Sequence, residues 1–308
     1  MNEGVKELKG EEFRTGYVAI IGEPNVGKST LMNCFLEEKI SIVTNKPQTT
    51  RHRILGILST DLCQIIFLDT PGVLQPKYGL HRAMMGAVRH AVADADLLLL
   101  IIDGCEPKMD ADIAQAPIFR IITAAKKPIY LLINKIDRLS KQQIASIIAF
   151  YSERCRFQEV FPISALQKIG TDVLLRSIAS ALPKHPPFYP LDIVSEQPER
   201  FFVSEIIREK IFEKYRDEIP YSTTVEILDF KERKGRKDLI DAEIFVERDS
   251  QKGILIGRNG LALKEIGAEA RHDIEAFLGR RVFLQLHVKV RANWRDNEAW
   301  LKRFGYER

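Results

Sequence analysis

Over the first 182 residues, short apolar runs alternate with longer amphipathic stretches. The runs at 17–21, 54–58, 63–68, 97–103, 129–133 and 160–163 are almost continuously apolar, as expected of strands buried on both faces. Helical spacing follows from Ser29 and across 81–95, 110–125, 141–154 and 171–181. Strands alternating with helices predict a mostly parallel sheet with helices on both faces, its ligand loops gathered at one end of the strands.

The pattern changes at Pro183. The stretch Pro183-Lys184-His185-Pro186-Pro187-Phe188-Tyr189-Pro190 suits neither helix nor ladder and reads as a semi-rigid linker. Beyond it, Phe202, Ile206, Ile207, Ile211 and Tyr215 recur at helical spacing. Two strand-like runs follow, 223–230 and 239–246, then a helix over 261–278 and a strand over 282–290. The expected organisation is therefore an α/β domain at 14–182, a linker at 183–199 and an α+β domain at 200–308.

Composition adds limits. A chain of 308 residues can support two cores. Its net charge of +4 is too small to imply nucleic acid by itself. Cys34, Cys63, Cys105 and Cys155 follow no metal-binding spacing, and reduced thiols in a reducing compartment are expected. The charged N-terminus resembles no signal peptide, and the strongest apolar run, 97–102, is far too short to span a bilayer.

The first motif with chemistry is Gly22-Glu23-Pro24-Asn25-Val26-Gly27-Lys28-Ser29, followed by Thr30. It fits the phosphate-binding loop G-x-x-x-x-G-K-[ST], set between a strand and a helix. The glycines let backbone N–H groups converge on phosphate oxygens at a helix N-terminus. Lys28 would neutralise phosphate charge, and the Ser29 hydroxyl would ligate Mg²⁺. Asp69-Thr70-Pro71-Gly72 ends another strand. There Asp69 would hold Mg²⁺ through water and the Gly72 N–H would meet a γ-phosphate, so the loop after it can order with nucleotide state. The second switch is expected between 40 and 54, with Thr49 or, preferably, Thr50 as the further metal hydroxyl.

Asn134-Lys135-Ile136-Asp137 selects the base. A carboxylate at Asp137 can accept from guanine N1–H and the 2-amino group, donors that adenine lacks. Sites built on such bonds reject the wrong ligand by roughly 10⁴–10⁵. Asn134 and Lys135 would brace the loop, and Ser164-Ala165-Leu166 would place a backbone N–H near the guanine oxygen. The expected ligands are GTP and GDP.

Together with Pro47-Gln48-Thr49-Thr50-Arg51-His52-Arg53, these motifs resemble the translation-factor-like P-loop GTPases, and among them the Era family. The resemblance covers nearly the whole chain. Ras-like enzymes orient water with a glutamine after the Asp-x-x-Gly motif, and Val73 stands at that position here. Valine cannot polarise water, so turnover should be slow and rest on Lys28, Asn25, Thr50, Gly72 and Mg²⁺. In related GTPases an asparagine at the place of Asn25 helps bind K⁺ against the phosphates; shaping the loop is the alternative role.

In the second half, Gly253-Ile254-Leu255-Ile256-Gly257-Arg258-Asn259-Gly260-Leu261 precedes a helix. An apolar run, Gly-x-x-Gly and a helix, within the order α-β-β-α-α-β, resemble a prokaryotic-type KH RNA-binding domain. Small glycines would let RNA backbone approach, Arg258 and Asn259 would flank it, and Ile254 and Ile256 would line an apolar groove. Residues 248–308 hold thirteen Lys/Arg against eight Asp/Glu. Arg280, Arg281, Lys289 and Arg291, with Arg295, form the densest cluster and are candidate phosphate contacts. Trp294, Trp300 and Phe304 read as a packed C-terminal helix, with base stacking or membrane contact as alternatives.

The resemblance implies binding near the 3′ end of small-subunit (16S) ribosomal RNA and a role in assembling the small ribosomal subunit. It also implies a cytoplasmic monomer, with peripheral contact to the inner membrane as a further expectation. The competing readings are a GTPase acting in tRNA modification and a nucleotide-sensing RNA-binding scaffold whose hydrolysis is incidental.

Overall fold

A computed structural model describes residues 13–44, 46–110 and 112–306. The chain folds as two compact units. The first holds the described residues through Ser41, with Thr50–Gln75 and Met84–Glu196; the second holds Ile42–Thr49, Pro76–Ala83 and the chain from Gln197 onward.

In the first unit the strands are β1 (Arg14–Gly22), β2 (Ile54–Ser59), β3 (Cys63–Asp69), β4 (Leu97–Asp103), β5 (Ile129–Asn134) and β6 (Glu159–Pro162). They form one sheet in the order β2-β3-β1-β4-β5-β6. All neighbours are parallel except the edge pair β2 and β3. Val18–Ile21 and Leu98–Ile101 are fully buried, which explains their uninterrupted apolar run. The register pairs Ile20 with Asp69 and Asp103 with Asn134, so three strand ends carrying polar groups share one edge of the sheet.

The accompanying helices are α1 (Lys28–Leu36), α2 (Gly79–Asp94), α3 (Pro117–Ala124), α4 (Lys141–Arg154) and α5 (Thr171–Ala181). The helix expected over 110–125 is interrupted. A single 3₁₀ turn covers Ile113–Gln115, Ala116 is extended at ψ 148°, and α3 starts at Pro117. Proline suits a first helical position but drives the preceding residue out of the α region.

The proline-rich segment after α5 is bound along the first unit. Pro183 O accepts from Thr15 N at 3.1 Å, and His185 N donates to Phe13 O at 3.0 Å. Gln64 Oε1 accepts from both Phe188 N (2.8 Å) and Tyr189 N (2.9 Å). Val194 O then accepts from Ile57 N at 2.7 Å on edge strand β2. Prolines lack a donor, but their carbonyls and the residues between them still pair.

The second unit contains α6 (Glu199–Lys214), a short α7 (Ile219–Ser222), β7 (Thr224–Lys231), β8 (Asp238–Val246), α8 (Asp249–Ile256), α9 (Leu261–Leu278), β9 (Val282–Val290) and α10 (Glu298–Arg303). Its sheet runs β7-β8-β9, with β8 antiparallel to β7 and parallel to β9. Val203, Ile207 and Ile211 of α6 and Ile266 and Ile274 of α9 pack on Ile240 and Ile244 of β8. Trp294 is fully buried, and its indole N–H donates to Ser222 O at 2.8 Å. Trp300 and Phe304 stack on each other beside Phe245, as the packed reading expected.

Candidate nucleotide and nucleic-acid sites

The phosphate loop joins β1 to α1. Gly27 has φ +102°, a conformation that costs an L side chain dearly, and a Cβ there would lie 2.2 Å from Asn134 Nδ2. Buried Lys28 donates to Gly22 O at 3.2 Å and Glu23 O at 2.7 Å. Burial pulls its ammonium down to about 8, against the opposing pull of the Asp69 and Glu23 charges. A buried cation held by neutral carbonyls at a helix N-terminus suits a phosphate. Asn25 is exposed at the loop tip with φ +64°, which accommodates either of its expected roles.

Three of the predicted metal-site residues meet. Ser29 Oγ lies 2.9 Å from Thr50 Oγ1 and donates to Asp69 Oδ2 at 2.7 Å. Asp69 is fully buried, which pushes its carboxyl above the ordinary aspartate range while the Lys28 charge pulls it back. Its Oδ1 is buried without a hydrogen-bond partner. A buried, unpaired carboxylate oxygen beside two hydroxyls is an all-oxygen donor set for a hard cation. Sequence reasoning missed Ser41, which also donates to Asp69 Oδ2, at 3.0 Å. No local motif marks it; it is placed through Asn33, whose Nδ2 donates to Ser41 O at 2.7 Å.

The loop after β3 lies against the phosphate loop. Val73 N donates to Gly22 O at 3.0 Å, and a Cβ on Gly72 would come within 2.6 Å of Pro24 N. Thr70 Oγ1 donates to Ile20 O at 2.8 Å, tying β3 to β1. Pro71 is buried beside Gly72, and the Val73 side chain is buried, leaving no side-chain proton acceptor at that position.

In the loop expected to select the base, Asn134 makes two bridging bonds. Its Nδ2 donates to Val26 O at 2.8 Å, and its Oδ1 accepts from Ala165 N at 3.0 Å. Lys135, left-handed at φ +66°, turns its ammonium onto Asp103. Ile136 N donates to Ile163 O at 3.2 Å, tying this loop to the end of the segment that leads into Ser164-Ala165-Leu166. Asp103 was absent from the expected set, although it ends β4 in register with Asn134.

In the second unit, Gly257 and Gly260 have φ +69° and +75°, and Asn259 between them has φ +53°. The turn exposes Arg258 and Asn259 ahead of α9. Ile254 is half-exposed beside it, Ile256 packs partly on the core, and Leu261 is exposed. Arg280 and Arg281 do not converge on this loop. Arg280 and Arg281 follow the far end of α9, about 27 Å away at 1.5 Å per residue over its 18 residues. Arg280 is engaged by Asp238 and Glu199, Lys289 pairs with Glu243, and Arg291 lies over the Phe245 and Trp300 rings.

Residues 17–135 match the family model described as 50S ribosome-binding GTPase, and residues 218–295 match the KH domain model. A GTPase Era of Lacticaseibacillus paracasei is 48% identical over 295 residues, spanning 96% of this chain and 97% of that protein. The chain belongs to the Era GTPase family. A chloroplastic Era-like GTPase of Arabidopsis thaliana is 49% identical, across 95% of this chain and 69% of its own length. Among solved Era structures, an Aquifex aeolicus variant bound to GDP.AlF4⁻ superposes with TM-score 0.88 at 39% identity, covering 96% of this chain and all of its own. An Era complex with MgGDPNP and nucleotides 1506–1542 of 16S ribosomal RNA gives the same score, identity and coverage. The expected pairing of a P-loop GTPase domain with a KH domain is thereby met.

Proposed function

We propose that this Era-family chain hydrolyses GTP with Mg²⁺ and binds small-subunit ribosomal RNA near its 3′ end, acting in assembly of that subunit. The observation that carries the nucleotide half is the Asn134 bridge, which locks the base-selecting loop to the phosphate loop. A guanine on Asp137 and phosphates on Gly27–Ser29 are then set by one rigid frame. The solved Era complex with MgGDPNP and 16S RNA supports the same reading.

Mg²⁺ would be held by Ser29 and Thr50, with Asp69 behind water, and would supply charge neutralisation at the phosphates. The chain's own contribution is positioning. Lys28 holds phosphate charge, loop N–H groups surround the oxygens, and the Gly72 N–H reports the γ-phosphate. With valine at 73, no side chain activates water there, so intrinsic turnover is slow. Asn25 is the candidate K⁺ ligand. The domain limits 14–182 and 200–308 remain our working division for function, with 183–199 between them. RNA meets the Gly257–Gly260 turn, with Ile254 and Ile256 beneath the bases. A cytoplasmic location with peripheral inner-membrane contact belongs to this reading; no described helix is long and apolar enough to cross a bilayer.

The direct test is GTP turnover by the purified chain, together with sequencing of RNA crosslinked to it. Enrichment of the 3′ end of small-subunit RNA is expected, and enrichment of tRNA would overturn the assignment.

A further inference from the structure

Gln48 and His81 take no part in the proposed GTP site, yet they stand in the two segments that lie just before Thr50 and just after Gly72 in sequence. Both segments, Ile42–Thr49 and Pro76–Ala83, belong to the second unit. The first is held on α6, where Val43 N donates to Glu209 Oε1 at 3.1 Å and Arg208 donates to the Thr49 carbonyl. The second is held on the 3₁₀ turn Trp294–Asp296. Gly79 N donates to Asp296 Oδ1 at 2.6 Å, and the Arg295 guanidinium lies 4.7 Å from the centre of the Tyr78 ring.

A side-chain bond joins the two segments. His81 is buried, and its Nε2 lies 3.0 Å from Gln48 Oε1. Its Nδ1 accepts from Lys77 N at 3.4 Å, which leaves the proton on Nε2 and makes His81 the donor to Gln48. Tyr78 stacks on the imidazole with ring centres 3.8 Å apart, fixing the plane of the ring. Gln48 is the residue that needs holding. It follows Pro47 at a corner with φ +62°, a left-handed conformation that such a corner ordinarily gives to Gly or Asn. An L side chain persists there only where its surroundings over-determine it, and the bond from His81 is such a constraint. Thr49 Oγ1 donates to Lys46 O at 2.8 Å across the corner. Thr50, two residues past Gln48, has its hydroxyl 2.9 Å from Ser29 Oγ.

We infer that His81 is a positioning residue for GTP hydrolysis: through Gln48 it keeps the corner at 46–49 in its left-handed form, and so sets the Thr50 hydroxyl where the metal is to be held. His81 lies outside the donor set of Ser29, Thr50 and Asp69, so its effect passes along the chain from Gln48 to Thr50. Glycine at 48 would need no such clasp, because it takes positive φ at no steric cost. That difference separates a clasp on a strained corner from simple packing of an imidazole. The inference rests on the reading of Thr50 as a Mg²⁺ hydroxyl.

The test measures, in the full-length chain, affinity for a non-hydrolysable GTP analogue with Mg²⁺ and in EDTA, alongside kcat and KM for GTP. Gln48→Ala keeps the left-handed corner and loses the bond. The gain in affinity that Mg²⁺ brings should therefore shrink about tenfold, with kcat falling more than KM rises and binding in EDTA unchanged. His81→Ala should do the same. Gln48→Gly should retain the gain to within about twofold of the parent, and His81→Ala placed on Gln48→Gly should add no further loss. A parental Mg²⁺ gain in both alanine variants would overturn the inference. So would a loss in Gln48→Gly equal to that in Gln48→Ala, or a full His81→Ala effect on the glycine background, since either makes His81 a packing residue. Thr50→Ala separates the two claims. If it keeps the parental gain, the reading of Thr50 fails; a loss there beside parental behaviour of the His81 and Gln48 variants defeats the clasp alone.

Discussion

Asn134 spans the gap between Val26 and Ala165, giving a proton to one backbone and accepting one from the other, at 2.8 and 3.0 Å. The side chain is buried, so neither bond exchanges freely with water. Asn134→Ala orphans a carbonyl and an N–H, each costing about 1–3 kcal/mol. Thermal unfolding should show a clear loss of stability, and calorimetry should show GDP affinity reduced about tenfold or more. Unaltered GDP binding would remove Asn134 from the frame.

In the proposed reading Asp137 would offer two acceptors to guanine, and Asp137→Asn reverses one of them. Preference should move from GTP to xanthosine triphosphate, with GTP affinity falling on the order of 10²–10⁴ for two charge-assisted bonds. Competition binding of the two nucleotides measures the shift, and equal GTP affinity in variant and parent would contradict the assignment.

Lys28→Ala removes a buried cation that holds Gly22 O and Glu23 O. Turnover at saturating Mg²⁺-GTP should fall by at least about a hundredfold, in line with losing one charged stabiliser of the transition state. Steady-state kinetics decides it, and wild-type turnover would sink the phosphate-loop role.

Asn25 gives a monovalent-ion prediction. If it ligates K⁺, hydrolysis in K⁺ exceeds hydrolysis in Na⁺, and Asn25→Ala abolishes the difference while leaving GDP binding in place. A parent chain indifferent to the two ions returns Asn25 to its other role, shaping a left-handed turn at φ +64°.

Much of this was legible because its causes are local. Strand β4 and helices α4, α5 and α9 fall where periodicity put them, since their ends are marked nearby. Ser140 and Gln143 form a capping box before α4, and Gly260 and Gly279 bracket α9. The motif residues of the GTP site meet because β1, β3, β4 and β5 run parallel and end at one edge. What periodicity could not carry was pairing across long chain separations. Gln64 binding Tyr189, Asp69 accepting from Ser41 and Asp238 joining Arg280 to Arg233 leave no spacing signature. Likewise, a tally of basic residues over 248–308 cannot show that Arg281 lies beside the turn at 231–237, because that proximity is set by the β8–β9 register.

The central claim is that one chain makes RNA binding answer to guanine nucleotide. Ile42–Thr49 packs with the unit that carries the KH domain: Val43 N donates to Glu209 Oε1 at 3.1 Å, and Arg208 donates to the Thr49 carbonyl. The next residue along the chain, Thr50, has its hydroxyl on Ser29. Ordering of this segment by the triphosphate should therefore alter RNA affinity, and linkage requires RNA to alter relative nucleotide affinity by the same factor. RNA titrations of the full chain with a non-hydrolysable GTP analogue and with GDP measure it directly. Curves separated by about 5–150-fold are predicted; superimposable curves would contradict the account and leave two tethered, independent activities.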